Sequence, residues 1–111
     1  MTVIESETQF RREAAKEKPL CVFFTAEACP DCRVIDAVMP GLESQFEREF
    51  TFAKIDRDQF TGITEEFDVV GIPSLVVFRE GRMVGRFINR LRKTRAQFVD
   101  FLENLSSTAD A

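Results

Sequence analysis

The chain contains no histidine, no tyrosine and no tryptophan. Without histidine, a zinc site of mixed cysteine and imidazole ligands has half of its donors missing. Without tyrosine or tryptophan, twelve phenylalanines supply the whole aromatic content, and these rings fill a core without needing hydrogen-bond partners there. No apolar run approaches the ~20 residues needed to span a bilayer. The first residues, MTVIESETQFRRE, lack the basic start and apolar stretch of a secretory leader. Internal repeats, low-complexity tracts and linkers are also missing. Read as the full chain, the sequence is expected to be cytosolic, and a reducing compartment disfavours a structural disulfide.

What is present is ordinary in amount. The 111 residues are 44% apolar and 31% charged, which suits a single globular domain over 1–111 with one core. The net charge of −4 argues against nucleic acid or an anionic membrane surface as the main partner. One basic run, NRLRKTR from Asn89 to Arg95, reads as a solvated face.

Local patterns order the elements. Thr2 to Ile4 suits a short strand, and Ser6 with Gln9 suits a capping box opening a helix through about Lys16. Pro19 ends that segment. Leu20 to Phe24 is a continuous apolar run, as in a strand covered on both faces. Pro30 fits the first turn of a helix. Val34, Val38, Leu42, Phe46 and Phe50 recur every four residues and predict one buried helical stripe, kinked at Pro40 and weakened further by Gly41. Thr51 to Asp56 alternates as a strand, and a short helix is expected from Phe60 to Phe67. Ser74 to Phe78 and Met83 to Ile88 are expected to pair as a hairpin about Glu80-Gly81. Thr94 with Gln97 caps a closing helix lined by Phe98, Phe101, Leu102 and Leu105. The order β-α-β-α-β-α-β-β-α predicts an α/β fold with a central mixed sheet between helices.

The chemistry gathers in TAEACPDCRV, where Cys29 and Cys32 stand two residues apart. At the end of a buried strand and the start of a helix, Cys29 meets unpaired amides and the positive end of the helix dipole. Both lower a thiol pKa, and the thiolate is the nucleophile. Cys32 is one helical turn on, close enough to bond to it. Pro30 stiffens the turn, while Asp31 sets a negative charge beside the thiolate and opposes its formation. With no histidine there to favour the thiolate, a reductant is expected rather than a strong oxidant. Such a spacing also suits half of a metal site or two unreactive thiols. The third cysteine, Cys21, lies in the apolar strand and reads as a small hydrophobe. A metal site would therefore have to be shared between two chains.

The strand LCVFF followed by TAEACPDC and a long helix, then FAKIDRDQ, GIPSLVVFREGR and VDFLENL in that order, resembles the thioredoxin family over nearly the whole chain. The resemblance implies the thioredoxin fold. It also implies a thiol-disulfide oxidoreductase that needs no bound cofactor beyond a Cys29–Cys32 disulfide. Cys29 would be the attacking thiol and Cys32 the resolving one. Pro73 would be a cis-proline facing them, where Ala28, Gly71 and Ile72 contact substrate; without the resemblance Pro73 reads as an ordinary trans proline opening a strand. Electrons would come from a separate reductase or a low-molecular-weight thiol, the substrates would be protein or small-thiol disulfides, and the protein would work as a monomer.

The sequence departs from the family at four points. Ala28 stands where the family usually has tryptophan, and Phe23 where a buried acid usually lies beneath the dithiol. Lys54, the usual partner of that acid, is therefore left without it, and proton removal from Cys32 falls to water, Asp31 or Asp36. Asn89 replaces a glycine after the hairpin, and Pro-Asp replaces Gly-Pro between the cysteines. Phe23 and Ala28 keep a second reading open: a thioredoxin-like binding module whose thiols turn over slowly.

Overall fold

The computed structural model describes the backbone of residues 1–109 and the side chains through residue 106. Its central element is β2 (Leu20–Thr25), buried at every position. On one side β2 pairs in parallel with β3 (Thr51–Asp56), and on the other antiparallel with β4 (Ser74–Arg79). Strand β1 (Thr2–Val3) joins the far side of β3 in parallel, and β5 (Arg82–Phe87) joins β4 antiparallel. The sheet runs β1-β3-β2-β4-β5. The element order matches the one expected from the sequence.

Alternation along β2 separates two cores. Leu20, Val22 and Phe24 face Phe10 and Ala14 of α1 (Glu7–Ala14) and Ile63 of α3 (Thr61–Glu66). Cys21 and Phe23 face Ile35, Met39 and Leu42 of α2 (Pro30–Gln45) and Phe98 and Leu102 of α4 (Arg95–Ala109). A strand flanked this way must be apolar on both sides, which is why LCVFFT carries no charge.

Helix ends follow local chemistry. Ser6 Oγ accepts the Gln9 amide at 3.0 Å, while Gln9 Oε1 accepts the Glu5 amide, one residue earlier than a reciprocal box requires. Thr94 and Gln97 do form the reciprocal pair, at 3.3 and 2.8 Å. Helix α1 stops at Ala14, short of Lys16, where the hairpin turn takes up the carbonyls at its end. The amides of Gly81 and Glu80 donate to Ala14 and Lys16, each at 2.9 Å. Glu80 and Gly81 have φ of 53° and 81°, the left-handed pair that a two-residue hairpin loop needs.

The stripe expected along α2 is corrected at its ends. Val34 is 65% exposed, and Val38 is only half-buried. Four residues advance a helix by about 400°, so a strict four-residue series spirals off any one face. The buried row is Cys32, Ile35, Met39 and Leu42, mixing steps of three and four. Phe50 is buried from the loop beyond the helix, which ends at Gln45. Helix α2 runs unbroken through Pro40, although Pro40 has no amide to offer the Asp36 carbonyl.

Register gathers the remaining chemistry at one end of the sheet. Thr25 lies opposite Asp56, Phe24 opposite Ser74, and Leu75 opposite Phe87. The segments leaving β2, β3 and β5 and the segment entering β4 therefore meet at the edge where Cys29 emerges.

Phe10 is fully buried and meets Phe78 edge to face, with ring centroids 5.2 Å apart. Phe10→Ala is expected to lower the unfolding free energy by about 3–5 kcal/mol in urea titrations, the usual cost of emptying a packed aromatic site. A loss under ~1 kcal/mol would mean that α1 closes over the gap.

Candidate active site

Cys29 is the N-cap of α2, with the extended backbone (φ −113°, ψ 104°) that a following proline favours. Pro30 then opens the helix where a missing amide costs no hydrogen bond. The Cys29 sulfur occupies the place usually taken by a capping oxygen and accepts the Cys32 amide at 3.2 Å. Cys29 and Cys32 are disulfide-bonded, their Cα atoms 5.2 Å apart. The two sulfurs differ in access, since Cys29 is half-buried and Cys32 is 1% exposed. An opened pair thus offers one reachable sulfur, held where helix amides stabilise negative charge, and one covered sulfur within bonding distance.

The loop entering β4 completes the rim. The Ile72–Pro73 peptide bond is cis. Gly71 and Pro73 are buried, Ile72 is half-buried and Ala28 is exposed. Among the described residues neither the amide nor the carbonyl of Ile72 has a hydrogen-bond partner. Such groups are free to pair with an extended segment laid across the rim. The Ser74 hydroxyl donates to the Gly71 carbonyl and pins the loop from below. Gly71 has no room for a side chain, because a Cβ would drive into the Asn89 carbonyl and come within 2.9 Å of the Arg90 amide.

Charge is arranged differently from the sequence expectation at two residues. Lys54 is not left without an acid. Its ammonium donates to both Asp36 oxygens, at 2.9 and 3.0 Å. Phe23 sits beside Lys54 in the sheet register and is fully buried, so the partner comes from α2 instead of β2. Asp36 follows Cys32 by one helical turn. A cleft of about 420 Å³ is lined by Cys32, Asp36 and Lys54, together with Arg33, Glu27 and Asp56. Asp56 is already occupied, its Oδ1 accepting the amides of Asp58 and Gln59.

Asp31 is not a bare negative charge beside Cys29. Arg92 Nε donates to its Oδ1 at 3.2 Å. The run NRLRKTR that reads as a solvated face is folded against the site. Arg90 Nε donates to the Val70 carbonyl at 3.2 Å. Lys93 is 3% exposed, and its ammonium donates to the Asn89 and Leu91 carbonyls, each at 2.7 Å. Burial holds that ammonium below the ordinary lysine range, and the Asp31 carboxylate pulls the other way. Sequence patterning gave no sign of this, because a basic run looks the same on a free surface and against a neighbouring loop. Cys21 is fully buried, and burial pushes its thiol far above the ordinary range, leaving it inert beside the exchanging pair.

A reachable sulfur at a helix N-terminus, bonded to a covered one and set at the same sheet edge as an unpaired strip of backbone, defines a protein that trades disulfides through its own dithiol. Comparison with known proteins agrees. The sequence profile of the family described as Thioredoxin matches residues 1–104. A thioredoxin H-type of Fagopyrum esculentum is 33% identical over 87 residues, 78% of this chain and 74% of that protein. A thioredoxin of Alicyclobacillus acidocaldarius subsp. acidocaldarius is 29% identical over 104 residues, 92% of this chain and 99% of that one. The crystal structure of thioredoxin from Trypanosoma brucei brucei shares the fold with a TM-score of 0.83 at 24% identity, over 96% of this chain and 91% of that chain. The chain belongs to the thioredoxin family and is a thiol-disulfide oxidoreductase.

Gly71→Ala is expected to cost about 1–3 kcal/mol in chemical denaturation, the range for forcing a methyl group into filled space. Disulfide exchange should slow with it, because the segment at Asn89 and the cis-proline loop must part. Unchanged stability and unchanged exchange would show that the two loops are not packed as described.

Proposed function

We propose that the protein is a cytosolic reductase of protein or small-thiol disulfides, working as a monomeric single domain. The observation that carries this reading is the half-buried Cys29 sulfur at the α2 N-cap, accepting the Cys32 amide and bonded to a covered Cys32. The Cys29 thiolate attacks one sulfur of the substrate disulfide. A mixed disulfide forms, and the other half of the substrate leaves as a thiolate. Cys32 loses its proton and attacks the Cys29 sulfur. The second half leaves, and a Cys29–Cys32 disulfide remains. Two electrons have passed to the substrate, and a separate reductase or a low-molecular-weight thiol restores the dithiol. The Pro30-Asp31 pair supports a narrower substrate range than that of a general thioredoxin.

Asp36 is the group we assign to receive the Cys32 proton, through water in the cleft they share. Lys54 holds the Asp36 carboxylate in place through both oxygens. The other charged groups facing this cleft are Arg33, Glu27 and Asp56, and Asp31 is turned to Arg92 on the other side. The alternative, a binding module with slow thiols, draws support from Phe23 and Ala28.

Cys32→Ser is expected to accumulate a mixed disulfide with a model disulfide peptide, visible by mass spectrometry. The native protein should release reduced peptide, and Cys29→Ser should form no adduct. Partner binding that persists in Cys29→Ser with no exchange in the native protein would favour the binding module.

Asp36→Asn is expected to slow release from the mixed disulfide roughly a hundredfold near pH 6–7, the low end for losing a general base. The deficit should shrink as pH rises and hydroxide substitutes for the carboxylate. A deficit constant with pH would make Asp36 a structural partner of Lys54 and nothing more.

A further inference from the structure

The basic segment Asn89–Arg95 has no part in the exchange chemistry, yet it forms the rim on the cis-proline side of the site. Three ties hold it there: Arg90 to the Val70 carbonyl, Arg92 to Asp31, and the close seating of Asn89 against Gly71. The Lys93 ammonium, bound to two carbonyls of its own loop, makes the segment stiff. Its outward groups are therefore preorganised, which lowers the entropic cost of meeting a ligand.

Those groups are cationic and apolar. Arg92 has an 82% exposed side chain, and Leu91 and Val70 are 73% and 56% exposed. Arg90 is bound to a carbonyl, and among the described residues it has no carboxylate within salt-bridge distance. Arg86 likewise donates to the Asp68 carbonyl on the same loop. A guanidinium satisfied by backbone keeps its full charge for a further partner. The acids near the dithiol lie elsewhere or are engaged. Glu27, Asp36 and Asp56 line the opposite cleft, and Asp31 is paired with Arg92. In a chain of net charge −4, the one side that offers unpaired backbone at Ile72 is thus edged with positive charge.

We propose that the Arg90–Arg92 rim selects disulfide substrates whose cysteine is flanked by acidic residues, in an extended segment docked on Ile72. This rests on the reductase reading above. An acidic side chain beside the substrate cysteine would meet Arg90 or compete with Asp31 for Arg92, while Leu91 and Val70 cover the neighbouring apolar surface. A lysine in the same place would meet like charge. Discrimination of this kind acts on encounter and on docking, and salt screens it.

The test uses two symmetric peptide disulfides, identical except that the cysteine is flanked by glutamate in one and by lysine in the other. The native protein should reduce the glutamate peptide with a kcat/KM about tenfold higher at low ionic strength. That ratio should fall toward unity in about 0.5 M salt, where the Debye length is only a few ångströms. In the double variant Arg90→Gln/Arg92→Gln the ratio should approach unity at low salt as well. Because the ratio is internal to each protein, a general loss of activity in the variant does not disturb it. Equal reduction of the two peptides by the native protein, or a preference for lysine, overturns the proposal. Reduction of neither peptide overturns the reductase reading as well, a pattern distinct from equal reduction. Rates per molecule that fall with protein concentration, alongside a dimer in sedimentation, would assign the rim to a second copy of this chain and overturn the proposal too.

Discussion

The Cys29 sulfur sits at the one point where a fully buried strand hands over to a helix, and it takes the Cys32 amide as a capping oxygen would. The other features of the site are arranged around that contact. The strand must be central for its end to open where the segments leaving β2, β3 and β5 and the one entering β4 meet. The helix must begin at once for its free amides to converge on the sulfur. Pro30 serves both demands, since it keeps Cys29 extended and starts the helix without wasting a donor. The same geometry buries Cys32 and leaves Cys29 reachable.

Around this contact the carboxylates have been kept out of the core. Phe23 fills the sheet position beside Lys54 with an apolar ring. An ionised carboxylate at that depth would need a close partner and several hydrogen bonds to offset its lost hydration. Lys54 instead reaches Asp36, an exposed residue on α2. The exchange of a buried pair for a partly hydrated one gives up electrostatic strength and gains ready access to water. Asp31 follows the same pattern, with its charge matched by Arg92 at the surface rather than by a group beneath the dithiol.

The two loops that frame the dithiol are bound directly to each other. Gly71 and Asn89 share a space too small for a methyl group, and Arg90 and Ser74 tie the same loop from opposite sides. The unpaired Ile72 backbone is consequently presented on a stiff support. A loop free to move would satisfy those groups internally.

Much of this was legible in the residues themselves. The apolar run Leu20–Phe24, the Glu80-Gly81 turn, the Thr94–Gln97 box and the Cys29–Cys32 spacing are local signals, each set by backbone or side-chain chemistry within a few residues. They determined the order of elements, the sheet between helices and the dithiol at a helix start. The partners of Lys54 and Asp31, the burial of Lys93 and the folding of Asn89–Arg95 against the proline loop were decided only by the tertiary structure. Lys54 and Asp36 are joined by a strand register and a helix rotation that no single window of sequence contains. Arg92 meets Asp31 across 61 positions. Local pattern specifies what each segment becomes, whereas the identity of a charged group's partner depends on how packed segments are turned toward one another.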